Sequence, residues 1–430
     1  MKYPNPFFAF VDVFLQDRNI SPIPPEHIIE FTHNKTAFSD LVNSFSLTVF
    51  DETAVNLEYY LVASADPFVD IFYRYGYVGG ATSEHFGGIV RDFSVNVSSV
   101  GAVLTIEGWS SVMKTHNVPR TRVYEEMDIH EIVAEVAAME GWSLGAIETC
   151  DPIYVEDRDE DENAMLRKKV FVQDNIPSTK FILNKLTKYA RSKETKDSGF
   201  EMFFDDISGV PVINFCTRSY LYKEPVDTFV TYYGREGQEV ISFEPKYQGV
   251  LMMVTGASVS AYGVDTETGE FIAYKHDQET NESSKIIGSK TYMNPDMGNA
   301  VHSFSSASAE EMRIKSSNMW KLSADQHHTA SMTIMGNPRI KAGDCVDVIY
   351  MTPRQVAHHT SGNYYVVSVS NSIRGGQFQT SLELARDALG LGPFNVGGND
   401  VNDDITEKQK TEDQQRDSAE LDWDQGNFIF

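Results

Sequence analysis

Three short blocks occur twice in this chain, in the same order. Ser46-Leu47-Thr48-Val49-Phe50 matches Ser331-Met332-Thr333-Ile334-Met335, and Val69-Asp70-Ile71-Phe72-Tyr73 matches Val346-Asp347-Val348-Ile349-Tyr350. Thr105-Ile106-Glu107 then matches Ser381-Leu382-Glu383. One such match between half-buried strands is expected by chance, since all of them alternate apolar and polar residues. Three collinear matches, with nearly equal spacing between the second and third, predict two homologous β domains. A duplicated β domain lets one chain present two similar edges, so that a trimer can imitate six-fold symmetry.

The text between the blocks agrees. Phe45, Leu47 and Val49 alternate with polar residues, as do Ile71, Tyr73, Tyr75 and Tyr77, while Phe93, Val95 and Val97 lead through Ser98–Gly101 into Leu104 and Ile106 as a hairpin. After Glu125 the period changes. Ile129, Ile132, Val133, Val136 and Ala137 predict an amphipathic helix with Asp128 as N-cap and Gly141 as its stop, and a second helix is predicted from about Ser178 to Arg191. Strands Phe200 to Phe204 and Val210 to Phe215 complete a small α+β unit. Strand texture returns from Val226 to Val264, a polar loop is expected near Asp277 to Ser284, and Ser308-Ala309-Glu310-Glu311 has capping-box spacing at the start of a third helix.

The expected fold class is mainly β with an α+β insert. Residues 1–122 are expected to form a first antiparallel β domain, 123–222 the insert, 223–390 a second β domain carrying a loop and helix insertion, and 391–430 an acidic flexible tail.

Composition narrows function. With 62 acidic and 36 basic residues the formal charge is −26, which repels phosphate and disfavours a nucleic-acid binder. The same sign suits DNA that must slide past without sticking. Cys150, Cys216 and Cys345 are too few and too scattered for a disulfide framework or a cysteine zinc site, and read as free buried thiols. The opening MKYPNPFFAFVDVF reads as neither a signal peptide nor a membrane span, so assembly in a cytoplasm is expected.

No Walker loop, dinucleotide fingerprint, His-Glu-x-x-His helix or Gly-x-Ser-x-Gly elbow occurs. Asp157–Asp161 imitates the start of a calcium loop, but Glu162 stands where glycine is needed and Lys168 where the bidentate glutamate is needed, so an exposed acidic loop is expected. His327-His328 and His358-His359 point to opposite strand faces, cannot easily share an ion, and read as surface or interface residues. No catalytic, cofactor or metal residue is assigned. The tail ends in an apolar cluster after its acidic run, and Trp423, Phe428, Ile429 and Phe430 are the candidate partner-docking residues.

The order of elements resembles the T4-type baseplate hub and late control D family of phage tail proteins. Carrying the resemblance are Asp128-Ile129-His130-Glu131-Ile132-Val133-Ala134, then Phe171-Val172-Gln173-Asp174-Asn175 leading into Lys180-Phe181-Ile182-Leu183-Asn184-Lys185-Leu186. In the second half they are Gly336 to Asp344 and Gly362-Asn363-Tyr364-Tyr365-Val366-Val367. These motifs encode turns and pleats rather than chemistry.

The resemblance implies a non-enzymatic homotrimer around a channel, in which the two β domains, 1–122 and 223–390, are tube-like antiparallel β-barrel domains that alternate as a pseudo-six-fold ring. Implied partners are the tail tube protein, a central spike protein, other baseplate proteins, and DNA passing through the lumen without specific binding. The implied location is the virion of a contractile-tailed phage. The loop near Asp277 and the acidic tail depart from the family pattern. Two rivals are weaker: a virion-associated hydrolase would need a module that the polar tail is too apolar-poor to fold, and a carbohydrate-binding fibre would show repeated exposed aromatic loops.

Overall fold

The computed structural model describes residues 9–15, 23, 25–37, 43–52, 70–158, 164–221, 225–232, 239–247, 258–264, 269–277, 299–303, 309–324, 328–353, 357–358 and 360–386. It is mainly β. A twelve-stranded sheet runs Ala9–Leu15, Asp70–Tyr77, Phe86–Ser98, Gly101–Ser110, Ser44–Asp51, Ile28–Thr36, Gly362–Arg374, Gln377–Arg386, His328–Met335, Val240–Tyr247. Cys345–Met351 joins beside the start of Gly362–Arg374 and is flanked in turn by Asp227–Tyr232.

Alternation puts one face of each strand in a core. Phe45, Leu47, Val49, Ile71, Tyr73, Tyr75, Tyr77, Leu104 and Ile106 are all buried in the first half, as their spacing predicts. A second core gathers Ala330, Met332, Ile334, Val346, Val348, Leu382 and Leu384.

The duplication extends to hydrogen-bond register. Ser46, Leu47 and Thr48 face Glu107, Ile106 and Thr105, while Ser331, Met332 and Thr333 face Glu383, Leu382 and Ser381. The hairpin closed by Ser98 opposite Gly101 is repeated by Arg374 opposite Gln377. A bulge at Arg91, between Val90 opposite Gly108 and Asp92 opposite Glu107, recurs at Val367, between Val366 opposite Leu384 and Ser368 opposite Glu383. A second shared bulge, at Ile29 and at Ile241, identifies Val240–Tyr247 as the counterpart of Ile28–Thr36. Bulges add one residue and re-aim a strand, so two copied at matching positions are inherited geometry. The copy is imperfect at the flank: Ala9–Leu15 runs antiparallel to Asp70–Tyr77, whereas Asp227–Tyr232 runs parallel to Cys345–Met351.

Between the halves lies the α+β insert, with its own core around Ile132, Val133, Val136, Phe181, Leu186 and Phe215. Its sheet is Glu201–Ile207, Val210–Cys216 and Ser143–Ile147, and Pro119–Tyr124 pairs with Phe171–Pro177 across position 122. The first helix spans Ile129–Glu140, where Glu131 accepts from the Asp128 N–H at 2.8 Å and Gly141 closes with φ 74°.

The second helix departs from the expected single run to Arg191. It comprises Ser178–Phe181, a π turn at Ile182–Leu186 and Thr187–Tyr189, with Ala190 already extended. Thr187 Oγ1 donates back to the Leu183 carbonyl, and Asn318 Nδ2 donates to the carbonyls of Lys188 (3.0 Å) and Ala190 (3.1 Å), which fixes the helix end.

Asn318 belongs to the third helix, Ala309–Ala324, which buries Ile314 in the insert core. The strand text ending at Val264 splits. Ser258–Val264 forms a separate three-stranded sheet with Phe271–Asp277 and Asn299–Ser303, packed on this helix through Val259 with Trp320 and Ala261 with Met312. Ser308 and the loop from 278 to 284 lie outside the described residues.

Cross-strand packing explains why the halves diverge in sequence yet keep their register. Phe45 faces Gly108, and the matching pair in the second half is Ala330 facing Leu384, so large and small have exchanged strands. A Cβ on Gly108 would overlap the Phe45 ring. Gly108→Leu is therefore expected to be severely destabilising, by about 3 kcal/mol or more. Phe45→Ala combined with Gly108→Leu copies the second-half pair and should recover part of that loss, read as a higher urea midpoint than Gly108→Leu alone.

Candidate functional site

The outward face of the joined sheet is the surface the sequence reading missed. Across eight strands, from Phe86–Ser98 to Val240–Tyr247, the positions facing away from the cores are mostly hydroxyl and amide. One line of cross-strand neighbours reads Asp92, Glu107, Ser46, Thr32, Ser372, Gln379. The next reads Trp109, Ser44, Asn34, Ser370, Ser381, Thr333, Ser242.

Ser370 Oγ donates to Asn34 Oδ1 at 2.6 Å across the boundary between the halves. The carboxylates on this face are Glu30, Asp92, Glu107, Glu244 and Glu383, and the cations are Arg91, Lys246 and Arg374. Arg91 is tied down, paired with Asp92 and Glu107 and lying 5.0 Å over the Trp109 ring. The signal was present as period-2 runs of small polar residues, Ser44-Ser46-Thr48, Thr329-Ser331-Thr333 and Ser368-Ser370-Ser372. Hydrophobic periodicity weighs only the opposite face.

Behind this face, a buried polar relay fastens the two halves. His33 Nδ1 and Tyr75 Oη are 3.1 Å apart, Asn371 Nδ2 donates to Tyr75 Oη at 2.9 Å, Thr380 Oγ1 donates to Asn371 Oδ1 at 2.8 Å, and the Asn337 N–H donates to Thr380 Oγ1 at 2.8 Å. Burial, with Lys35 nearby, lowers the His33 pKa well below its ordinary value, so the relay holds a neutral imidazole.

Lys35 is buried 3.3 Å from Asp205 with its ammonium 3.7 Å over the Phe86 ring; burial lowers its pKa while Asp205 opposes that shift. Beside it Asp206 accepts from Ser111 N (3.2 Å) and Ser111 Oγ (2.6 Å), and Asn43 Nδ2 donates to the Phe204 carbonyl at 2.8 Å. These bonds hold the insert strand Glu201–Ile207 against the first β half.

Among the described residues one group could offer metal-ligand atoms close together, Asp128, His130 and Glu131. Each already has other work. Asp128 Oδ1 is 2.8 Å from Lys168, Glu131 caps the helix, and His130 Nδ1 accepts from the Cys150 N–H at 3.3 Å. The arrangement is a helix cap, and no metal is assigned.

His328 is buried in its strand rather than at the surface, because position 328 falls on the core-facing parity. His358 is partly buried, 5.3 Å from the Tyr350 ring centroid and 2.9 Å from Thr360 Oγ1. All three cysteines are free and buried. His327, His359, residues 159–161 of the acidic run, and the docking candidates Trp423, Phe428, Ile429 and Phe430 lie outside the described residues.

No sequence-family model matches the chain, and no curated protein matches it significantly. Solved structures do. A tail protein from Neisseria meningitidis MC58 superposes with a TM-score of 0.57 at 12% identity, covering 89% of this chain and 98% of that one. The 43 kDa tail protein of prophage MuSo2 from Shewanella oneidensis gives 0.58 at 11% identity, covering 88% and 98%. The chain shares the fold of these tail proteins. At such identities the likeness resides in strand order rather than in retained side chains.

One buried carboxylate offers a direct measurement. Burial raises the pKa of Asp347 from 3.8 to about 6, and its Oδ1 has no hydrogen-bond partner among the described residues. A raised carboxyl pKa means that the folded state binds protons more tightly than the unfolded one between these two values, so stability is lost as pH rises from about 4 to 6. Asp347→Asn should stabilise the protein at pH 7.5 by about 1–3 kcal/mol. The gain should shrink towards zero below pH 4, as read from urea unfolding at both pH values.

Proposed function

We propose that this chain is the structural hub of a contractile-tail baseplate, acting as a homotrimer that joins the tail tube to the central spike and lets DNA pass through its lumen. The observation that carries the reading is the continuous sheet across two duplicated halves. Ile28–Thr36 of the first half pairs with Gly362–Arg374 of the second, so one chain supplies two consecutive, similar segments of a curved wall. Three copies supply six, which suits mating a three-fold spike to a six-fold tube. The two solved structures described above are tail proteins by name, which supports a place in the virion and a structural rather than catalytic role.

In this reading the hydroxyl face lines the lumen. Serine, threonine and asparagine keep a wall wetted without fixed cations to grip phosphate, and the few arginines and lysines there sit among carboxylates. The division into β units at 1–122 and 223–390, an insert at 123–222 that faces other baseplate proteins, and a tail at 391–430 belongs to the same proposal. So does docking of Trp423 and Phe428–Phe430 on the tube or spike protein.

Mass in solution tests the oligomer. Light scattering on the full chain should give three times the 48.3 kDa chain mass, and with candidate spike protein that mass plus the spike's, whereas a monomer under every condition would sink the reading. Deleting Phe428–Phe430 should weaken capture of tube or spike protein in a pull-down while leaving the unfolding midpoint unchanged. Undiminished capture would remove the docking role.

A further inference from the structure

Two edges of the joined sheet are unpaired among the described residues, and the duplication says what belongs on them. Val240–Tyr247 pairs on one side only, with His328–Met335, and ends the sheet. Among the described residues, the backbone of 92–98 has a paired strand on one side, Gly101–Ser110. The shared bulge makes Val240–Tyr247 the counterpart of Ile28–Thr36. The shared bulge and hairpin make residues 92–98 the counterpart of 368–374. Those two counterparts are joined to each other within the chain, from Glu30 opposite Arg374 to Thr36 opposite Ser368. The open edges are thus the two unmated copies of an existing seam.

Burial carries the same message independently. In the internal seam Phe31, Val369, Asn371 and Ile373 are buried. Their counterparts at the open edges are Phe243, Phe93 and Val95, which are only partly buried, and Val97, which is 66% exposed. Inherited geometry with apolar side chains left uncovered on an edge marks a surface that is covered in the assembled state.

We propose that Val240–Tyr247 of one copy adds antiparallel to residues 92–98 of the next copy of this chain, in the register of the internal seam. Translating that register puts Phe243 opposite Val97, Glu244 opposite Asn96, Pro245 opposite Val95, Lys246 opposite Ser94 and Tyr247 opposite Phe93. Lys246 falls diagonally beside Asp92. Pro245 brings no N–H, as befits an edge strand that must reject casual partners. Because the two edges differ, the contact is head-to-tail and continues from copy to copy until the rotation closes. This deepens the ring reading and rests on it.

The test is a cross-strand disulfide. Thr32 and Ser372 face each other in the internal seam, and their counterparts are Glu244 and Asn96. In the full chain, with its buried native cysteines retained, Asn96→Cys with Glu244→Cys should on mild oxidation give covalent dimers and trimers on a non-reducing gel. Thr32→Cys with Ser372→Cys should close within one chain and stay at monomer mass. Asp92→Cys with Glu244→Cys, four residues out of register, should yield at least tenfold less multimer.

Equal multimer from the in-register and out-of-register pairs would overturn the register. No multimer from the in-register pair, in a protein that light scattering shows to be a trimer, would overturn this edge contact and leave the ring standing. A chain that stays monomeric at every concentration would overturn both.

Discussion

Backbone pairing between Ile28–Thr36 and Gly362–Arg374 is the constraint on which the rest of this structure depends. It draws strands from opposite ends of the sequence into one sheet, so the loop-closure entropy of nearly the whole chain must be met before the seam can form. Polar specificity then fixes it. The relay from His33 through Tyr75, Asn371 and Thr380 to Asn337 crosses from one core to the other, with each buried group answered by the next. A slip of one residue would turn the apolar faces to water and break the buried Asn371–Tyr75 bond that crosses the seam, so register is specified twice.

The insert is fastened to that seam rather than appended to it. Lys35, on the seam strand, reaches Asp205 on the insert, and Asn43 bonds the Phe204 carbonyl. On its far side the insert holds the Ala309–Ala324 helix through Ile314, through Asn318 and through the Lys169–Glu311 ion pair. Taking a lysine out of water is costly, and Lys35 keeps its place because a carboxylate and an aromatic face meet it together. The cost is consistent with a junction whose geometry matters more than its stability.

Much of this was legible in the residues. Alternation located Phe45, Leu47, Val49, Tyr73, Tyr75 and Tyr77 in a core, helical period and capping located Ile129–Glu140, and the first and third repeated blocks proved to share their partners, whereas the second is offset by two residues in its pairing. What stayed hidden depends on neighbours distant in sequence. Ile28–Thr36 and Val240–Tyr247 are counterparts, yet Phe31 and His33 stand where Phe243 and Pro245 stand, because one pair is sealed in a seam and the other is not. The break in the second helix could not be read from Ser178–Arg191 alone, since Asn318 takes its last carbonyls. The docking candidates at the C-terminus lie outside the described residues.

In the proposed hub, acidity and channel lining are separable. A net charge of −26 invited the idea that carboxylates coat a lumen, but the outward face of the sheet carries mainly hydroxyls and amides, with its carboxylates partly neutralised by Arg91, Lys246 and Arg374. For a polyanion in transit the two designs differ physically. A densely acidic wall repels the strand and its effect fades as salt rises, whereas a hydroxyl wall offers only water-exchangeable hydrogen bonds and depends little on ionic strength. For the lumen proposed above the second design has the advantage wherever ionic strength varies, and in that proposal most of the negative charge is free to keep the chains apart before they assemble.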